Sequence, residues 1–205
     1  MDPSRIPVEL FPHVRIVMGM VVGLSITRLL TGVATFIQHP GRNRPYAVHL
    51  LWAATLLLEL IHFWWWQYAL YGVENWTFIL FVFLIGYAII LYFMCALLFP
   101  DNVTDFGGYE GYFISRRGWF FTLFASTFIC DLIDSAIKGP AYFARFGYEY
   151  YIQVPIGLIA CMIAVWTTNR LYHTAFVSVH LAYQLWWIWR LFYAAPVSAF
   201  AYQGT

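Results

Sequence analysis

Seven ionisable side chains interrupt the long apolar stretches of this sequence, and their chemistry could carry a function. They are Arg28, Glu59, His62, Asp131, Asp134, His180 and Arg190. A charged side chain at the centre of a bilayer costs on the order of 2.5 to 3.5 kcal/mol to insert. Residues this costly are retained where they pair with one another or take part in binding and transport. We therefore treat these seven as the candidate site.

Depth along a helix predicts which of these side chains meet. A helical rise of about 1.5 Å per residue, counted from the centre of each apolar stretch, puts Glu59 near the membrane midplane and Arg28 about 4 Å from it. Glu59 and His62 share one helix face, and so do Asp131 and Asp134, because each pair has i,i+3 spacing. The depths predict the pairs Arg28 with Glu59, Asp131 with His62, and Asp134 with Arg190, with His180 level with Arg28. We call these seven side chains the polar seam.

The charges of the polar seam do not balance. Three acids face two arginines, which leaves one excess negative charge when the histidines are neutral. Either a histidine is protonated or one carboxyl group keeps its proton, so one proton has no settled position near neutral pH. Sites of this kind are typical of proton-coupled and ion-conducting proteins. A structural role, in which the pairs hold the helices together, stays open.

A divalent metal is the alternative ligand for four of these residues. Glu59-x-x-His62 has the spacing used by carboxylate-bridged two-metal bundles, with Asp131 and Asp134 as further oxygen ligands. Such bundles use the Glu-x-x-His pair twice, whereas it occurs here once, and the two arginines would compete for the acids. We expect no cofactor and keep the metal site as an alternative.

The composition indicates the solvent in which the chain folds. The 205 residues are 62% hydrophobic and 10% charged, whereas soluble domains carry about 25% charged residues. So little charge cannot cover an ordinary water-facing surface, and the sequence therefore predicts a polytopic protein whose surroundings are the lipid bilayer. A net charge of +1 provides no field that would attract nucleic acid.

The apolar stretches predict an all-α fold with six transmembrane helices in a single domain, residues 1–205. About 20 helical residues cross a hydrocarbon core. The predicted spans are 14–37, 46–71, 76–99, 117–138, 149–168 and 171–194. The loop 101–117 is predicted to lie on the membrane surface, with a short lid over a vestibule as the alternative.

The order of the spans suggests a possible internal symmetry and a topology. Aligning Arg28 with Asp131 raises the hypothesis of an inverted repeat of three plus three helices, as in many transporters. Six spans put both chain ends on one side, and basic residues in short loops, including Arg42, Arg44 and Arg170, favour external termini. The first apolar stretch is long enough to span, so we expect no cleavable signal peptide and place the protein in a cell or inner membrane.

The polar seam favours movement of a small ion, linked to protons, through a channel or a small transporter. Because 205 residues are few for a complete secondary transporter, we expect a homo-oligomer. One alternative is a membrane metalloenzyme or redox protein that uses Glu59, His62, Asp131 and Asp134, although an enzyme is the less favoured class. The other is a non-catalytic subunit of a larger membrane complex, in which the charges serve assembly.

Overall fold

The fold is helical throughout the residues that the computed structural model describes, which are 6–39, 45–73, 76–143, 146–190 and 193. Within these ranges there is no β-strand, and the all-α prediction is confirmed. The helices are α1 (Ile6–Gln38), α2 (Ala47–Trp66), α3 (Phe78–Leu98), α4 (Tyr109–Ile137), α5 (Pro140–Phe143), α6 (Gly147–Trp166) and α7 (Arg170–Trp189). Two 3₁₀ segments, Gln67–Gly72 and Thr104–Phe106, follow α2 and precede α4. Arg42, Arg44 and most residues after Arg190 lie outside the described ranges.

Five helices are long and apolar enough to cross a bilayer, and such helices fit an integral membrane protein. Their spanning stretches are Phe11–Gln38, Ala47–Gly72, Phe78–Leu98, Tyr109–Ile137 and Glu149–Trp166. A helix satisfies its backbone N–H and C=O groups internally, which a hydrocarbon environment requires. Five of the six predicted spans are thus found as apolar helices, with one large difference, at the start of the fourth.

Helix α4 begins at Tyr109, so the predicted surface loop 101–117 is wrong over its second half. Tyr109, Tyr112 and Phe113 are buried, and their i, i+3, i+4 spacing places them on one helix face toward the core. Gly108 precedes the helix with φ 113°, a backbone conformation that favours glycine. Polar residues lie between these aromatic residues, and for this reason the sequence was interpreted as a surface loop and not as a helix.

Helix α7 is as long as a membrane span but is not among the helices apolar enough to qualify. Its polar residues lower its mean hydropathy. Two of them, His173 and Gln184, are buried against other helices. Apolar residues such as Leu171 and Val179 are instead exposed on its outer face. The sixth span therefore stays a prediction, and the inward polar face makes α7 a source of site residues.

The core brings α2, α4 and α7 together around Trp52 of α2. This side chain is fully buried. Its ring lies 5.0 Å from Phe120 and 5.1 Å from Phe124 on α4, and 5.7 Å from Phe176 on α7, measured between centroids. Edge-to-face aromatic pairs of this kind add to the energy of burial. Because Glu59 follows Trp52 by two helical turns on the same face, it too is directed toward α4 and α7.

The packing lends no support to an inverted repeat. In the first half of the chain α1 packs most extensively against α3, whereas in the second half α4 packs most extensively against α6. Two repeats of one three-helix unit would pair corresponding helices, and here the first helix pairs with the third in one half and with the second long helix in the other. The repeat stays a hypothesis.

Candidate functional site

Five of the seven predicted residues line one cavity inside the helix bundle, which we call the polar cavity. Glu59 and His62 come from α2, Asp131 and Asp134 from α4, and His180 from α7. The centre of a water molecule can reach about 130 Å³ of this space, which is room for water beside polar partners. The structure therefore brings together all the histidines and acids of the polar seam but neither arginine.

Glu59 faces His180 across the interface between α2 and α7. The Oε1 atom of Glu59 lies 3.6 Å from Nε2 of His180, which is too long for a direct hydrogen bond but close enough for an ion pair when the imidazole is protonated. The His180 ring is stacked on Trp52, with centroids 5.9 Å apart, and contacts the edge of Phe124. These rings fix the imidazole beside the carboxylate.

Asp131 is bonded to a tyrosine rather than to His62. The Tyr150 hydroxyl of α6 donates a hydrogen bond of 2.5 Å to Oδ2 of Asp131. The predicted partner His62 lines the same cavity without being the group that binds this carboxylate. The pairing was wrong because height along the membrane does not tell which of several side chains on neighbouring helices points the right way.

Asp134 forms an ion pair with Lys138, one turn later on the same helix, and the predicted pairing with Arg190 is wrong. Both side chains are buried, and the Lys138 ammonium lies 5.1 Å from the centroid of the Tyr142 ring. An i,i+4 pair needs no second helix to form. The predicted fourth span ends at Lys138, whose long side chain reaches back into the bundle.

Arg190 instead pairs with Glu149 at the beginning of α6, with Nη1 and Oε2 2.5 Å apart. Its guanidinium also lies over the rings of Trp186 and Trp187, 5.0 and 4.6 Å from their centroids. Both contacts hold the charge at the end of α7, outside the lining of the polar cavity.

Arg28 is bound at the end of α3, and the predicted pairing with Glu59 is wrong. Its Nη2 group donates a hydrogen bond to the carbonyl oxygen of Phe99 and lies 3.1 Å from Oδ1 of Asp101. A long arginine side chain can extend along an apolar surface to reach polar groups near a helix end, and here it does so. Arg28 also lines a second cavity of about 310 Å³, together with Thr31, Thr35, His39 and Tyr109.

The polar cavity therefore holds two carboxyl groups without a fixed positive partner. In the part of the chain that the structure describes, neither Glu59 nor Asp131 forms an ion pair with an arginine or lysine. Their partners are a histidine, which can gain or lose a proton, and a tyrosine hydroxyl, which can donate a hydrogen bond. Asp134 differs, because Lys138 compensates its charge.

Several uncharged polar residues of the cavity were missed by sequence reasoning. Besides Tyr150, these include Tyr87, Gln153, Tyr183 and Gln184. The prediction was based on charged residues and histidines. The amide group of a glutamine inside an apolar stretch also needs a hydrogen-bond partner. The sequence signal was available in the neighbouring pair Tyr183 and Gln184 and in the i,i+3 pair Tyr150 and Gln153.

The metal alternative finds no support in the geometry. Among the described residues, no group of three or more histidine, cysteine, aspartate or glutamate side chains is placed so that it could hold a metal ion. Glu59 and His62 share a helix face, but Tyr150 binds Asp131 and Lys138 binds Asp134. The two aspartates are therefore already engaged by groups of the protein.

Comparison of the chain with protein-family models, with curated proteins and with solved structures finds no match in any of the three. The class that fits the fold and the site is a helical membrane protein with ionisable side chains around an interior cavity. Any narrower function rests on the chemistry of that cavity.

Proposed function

We propose that this protein moves a small ion, linked to protons, through the polar cavity, as a channel or a small transporter. The observation that carries the proposal is that Glu59 and Asp131 face one cavity that is large enough to hold water. They lie on two helices apolar enough to span a membrane, and their partners are His180 and Tyr150. Carboxyl groups inside membrane helices commonly mark ion and proton pathways.

The Glu59–His180 pair gives this proposal its chemistry. With the proton on His180, the two side chains are an ion pair, and with the proton on Glu59 both are neutral. A cation that binds the Glu59 carboxylate releases one proton from the pair, so the net charge of the cavity is unchanged. The exchange of one positive charge for another avoids an uncompensated charge in a low-dielectric site, which would be costly.

Proton flux in proteoliposomes tests the proposal. Liposomes that hold potassium, sodium or tetraethylammonium chloride are diluted into a medium free of that salt, and a trapped pH-sensitive dye reports the protons that enter as the cation leaves. We expect flux above that of protein-free liposomes for the wild type, and its loss for Glu59→Gln, which keeps the shape of the side chain but cannot ionise.

The matched control is Glu110→Gln, because Glu110 is paired with Arg170 away from the polar cavity. This variant should retain flux. Equal flux in Glu59→Gln and the wild type would overturn the proposal. The metalloenzyme and the non-catalytic subunit stay alternatives without a supporting observation of this kind.

A further inference from the structure

An apolar cleft lies between α6 and α7 on the outer surface of the bundle. Its volume is about 540 Å³, which is larger than that of the polar cavity. Ile152 and Ile156 on α6 and Val179 on α7 line it and are each more than half exposed. Both isoleucines belong to a stretch long and apolar enough to cross a membrane, so in a bilayer the mouth of the cleft would face the lipid chains.

The cleft and the polar cavity share a wall. Four side chains line both spaces, namely Phe128, Gln153, His180 and Tyr183. At this boundary the Tyr183 hydroxyl of α7 donates a hydrogen bond of 3.0 Å to Oε1 of Gln153 on α6. Directly behind His180 lies Glu59, 3.6 Å away. A molecule that enters from the lipid therefore meets an apolar cleft first and a carboxylate second.

The chemistry of the walls selects the occupant. Five aromatic rings line the cleft, from Phe128, Tyr172, Phe176, Tyr183 and Trp186. Aromatic faces attract cations, and the attraction is stronger where water is excluded. Glu149, the acid at the edge of the cleft in the described chain, is already paired with Arg190.

Anions and neutral lipids fit less well. The carboxylates of Glu59 and Asp131 would repel an anion, and a neutral molecule would leave Glu59 without compensation when His180 is neutral. A molecule with a positive centre inside an apolar or aromatic shell satisfies both walls at once.

We infer that the cleft admits a lipophilic organic cation from the bilayer and that Glu59 neutralises its charge. This inference rests on the proposed function and names its substrate class: the organic cation is the ion exchanged for the proton. No bond forms or breaks. The cation enters the site, and one proton leaves the Glu59–His180 pair.

Protons should compete with the cation for this site. The titratable and charged groups around Glu59 are His62 on its own helix, Tyr87 on α3, Asp131 and Asp134 on α4, Lys138 directly after α4, Tyr142 on α5, Tyr150 on α6, and His180 and Tyr183 on α7. Of the acids among them, Asp134 is compensated by Lys138 and Asp131 is bonded to Tyr150. Glu59 lies against His180 of the shared wall, and we therefore expect acidification to weaken cation binding through it.

Binding of tetraphenylphosphonium to the purified full-length protein in detergent tests the inference by equilibrium dialysis. This probe carries four phenyl rings around a permanent positive charge. We expect saturable binding to the wild type, and binding about tenfold or more weaker to Glu59→Gln, because an ionic contact in a desolvated site is lost. Glu110→Gln should bind as the wild type does. Tetraphenylborate, which has the same shape and the opposite charge, should not bind.

A variant that fills the cleft tests the route of entry. Ala175 lines the cleft and is exposed, so Ala175→Trp should fold and should lose probe binding, because the indole ring occupies the cleft. Flux that depends on Glu59 without any phosphonium binding to the wild type would overturn the inference and leave the proposed function standing. Binding that is equal in Glu59→Gln and the wild type would also overturn it. Glu59-dependent binding without proton flux would support the cation site and overturn the exchange.

Discussion

Each carboxyl group of the polar cavity has a partner of a different kind, and the partner sets what the group can do. Lys138 compensates Asp134 permanently, so this pair stabilises α4 without changing charge. His180 and Tyr150, the partners of Glu59 and Asp131, carry no fixed charge. Glu59 and Asp131 can therefore gain or lose a proton without leaving an unpaired lysine or arginine in the cavity. These two are the acids of the cavity that can change their charge.

Arg28 provides a residue-scale prediction that separates its two candidate partners. Arg28→Leu removes the donor to the Phe99 carbonyl, and an unsatisfied polar group costs about 1–3 kcal/mol. We expect this loss in the free energy of unfolding, followed by tryptophan fluorescence in detergent. Adding Glu59→Leu should not recover it, because the two side chains do not contact and effects at separate sites add.

Recovery of stability in the double variant Arg28→Leu with Glu59→Leu would contradict the structural partners and favour the pairing by depth. Asp101→Asn is the control, because the Asp101 side chain is 94% exposed. An exposed ion pair contributes about 0–1 kcal/mol, so this variant should unfold close to the wild type.

The partners could not be predicted because depth is a single coordinate. Counting along a helix gives the height of a residue. Five of the seven residues that it placed inside the bilayer line one cavity, namely Glu59, His62, Asp131, Asp134 and His180. Rotation about the helix axis and the reach of long side chains decide the contacts, and neither can be read from apolar stretches. Residue types and positions were thus predictable, whereas the pairs were not.

At the scale of the helices, length and hydrophobicity were sufficient to predict a helix wherever all faces of that helix are apolar. α3 is the clearest case, since it has no charged residue and the highest hydropathy among the five apolar helices. The signal failed at the start of α4, where Glu110 and Arg116 lie among buried aromatic residues. α7, which buries histidine and glutamine, was predicted as the span 171–194 and is helical over Arg170–Trp189, but it is not among the helices apolar enough to span a membrane. In both helices the pattern around the axis carries more information than the average hydropathy.

Two glycines of α1 give a matched prediction about helix packing. A Cβ atom at Gly32 would lie 2.1 Å from the ring of Phe99, whereas one at Gly23 would meet nothing within 4 Å. Gly32→Ala should therefore lower the free energy of unfolding by about 1–3 kcal/mol, because overpacking forces neighbours to move. Gly23→Ala should be neutral or stabilising by up to about 1 kcal/mol, since alanine is the better helix former.

Thermal unfolding of the two glycine variants in the same detergent checks this prediction. Equal stability of Gly32→Ala and Gly23→Ala would show that α1 does not approach Phe99 closely. A change in oligomeric state with Gly23→Ala alone would instead place Gly23 at a contact between copies of the chain.

At the scale of the whole molecule, two ion pairs indicate which helix ends lie together. Arg170 at the start of α7 is paired with Glu110 at the start of α4. At the other end of these helices Arg190, after α7, is paired with Glu149 at the beginning of α6. α7 therefore runs parallel to α4 and antiparallel to α6, as a sixth membrane crossing would.

Cysteine labelling tests that crossing. On a background lacking Cys95, Cys130 and Cys161, single cysteines replace residues of the described chain for labelling with a membrane-impermeant reagent. If α7 spans, Asp101→Cys and Thr168→Cys should be labelled from one side of the membrane, and Tyr71→Cys and Tyr193→Cys from the opposite side. Labelling of Tyr193→Cys from the side of Thr168→Cys would show that α7 does not cross.

The inward polar face of α7 also bears on how the protein is made. A helix that carries His173, His180 and Gln184 gains little from entering lipid alone. Gln184 and His180 contact α2 and α4, which leave the ribosome earlier. Membrane insertion of α7 should therefore wait until the preceding helices have assembled, and it would coincide with closure of the polar cavity.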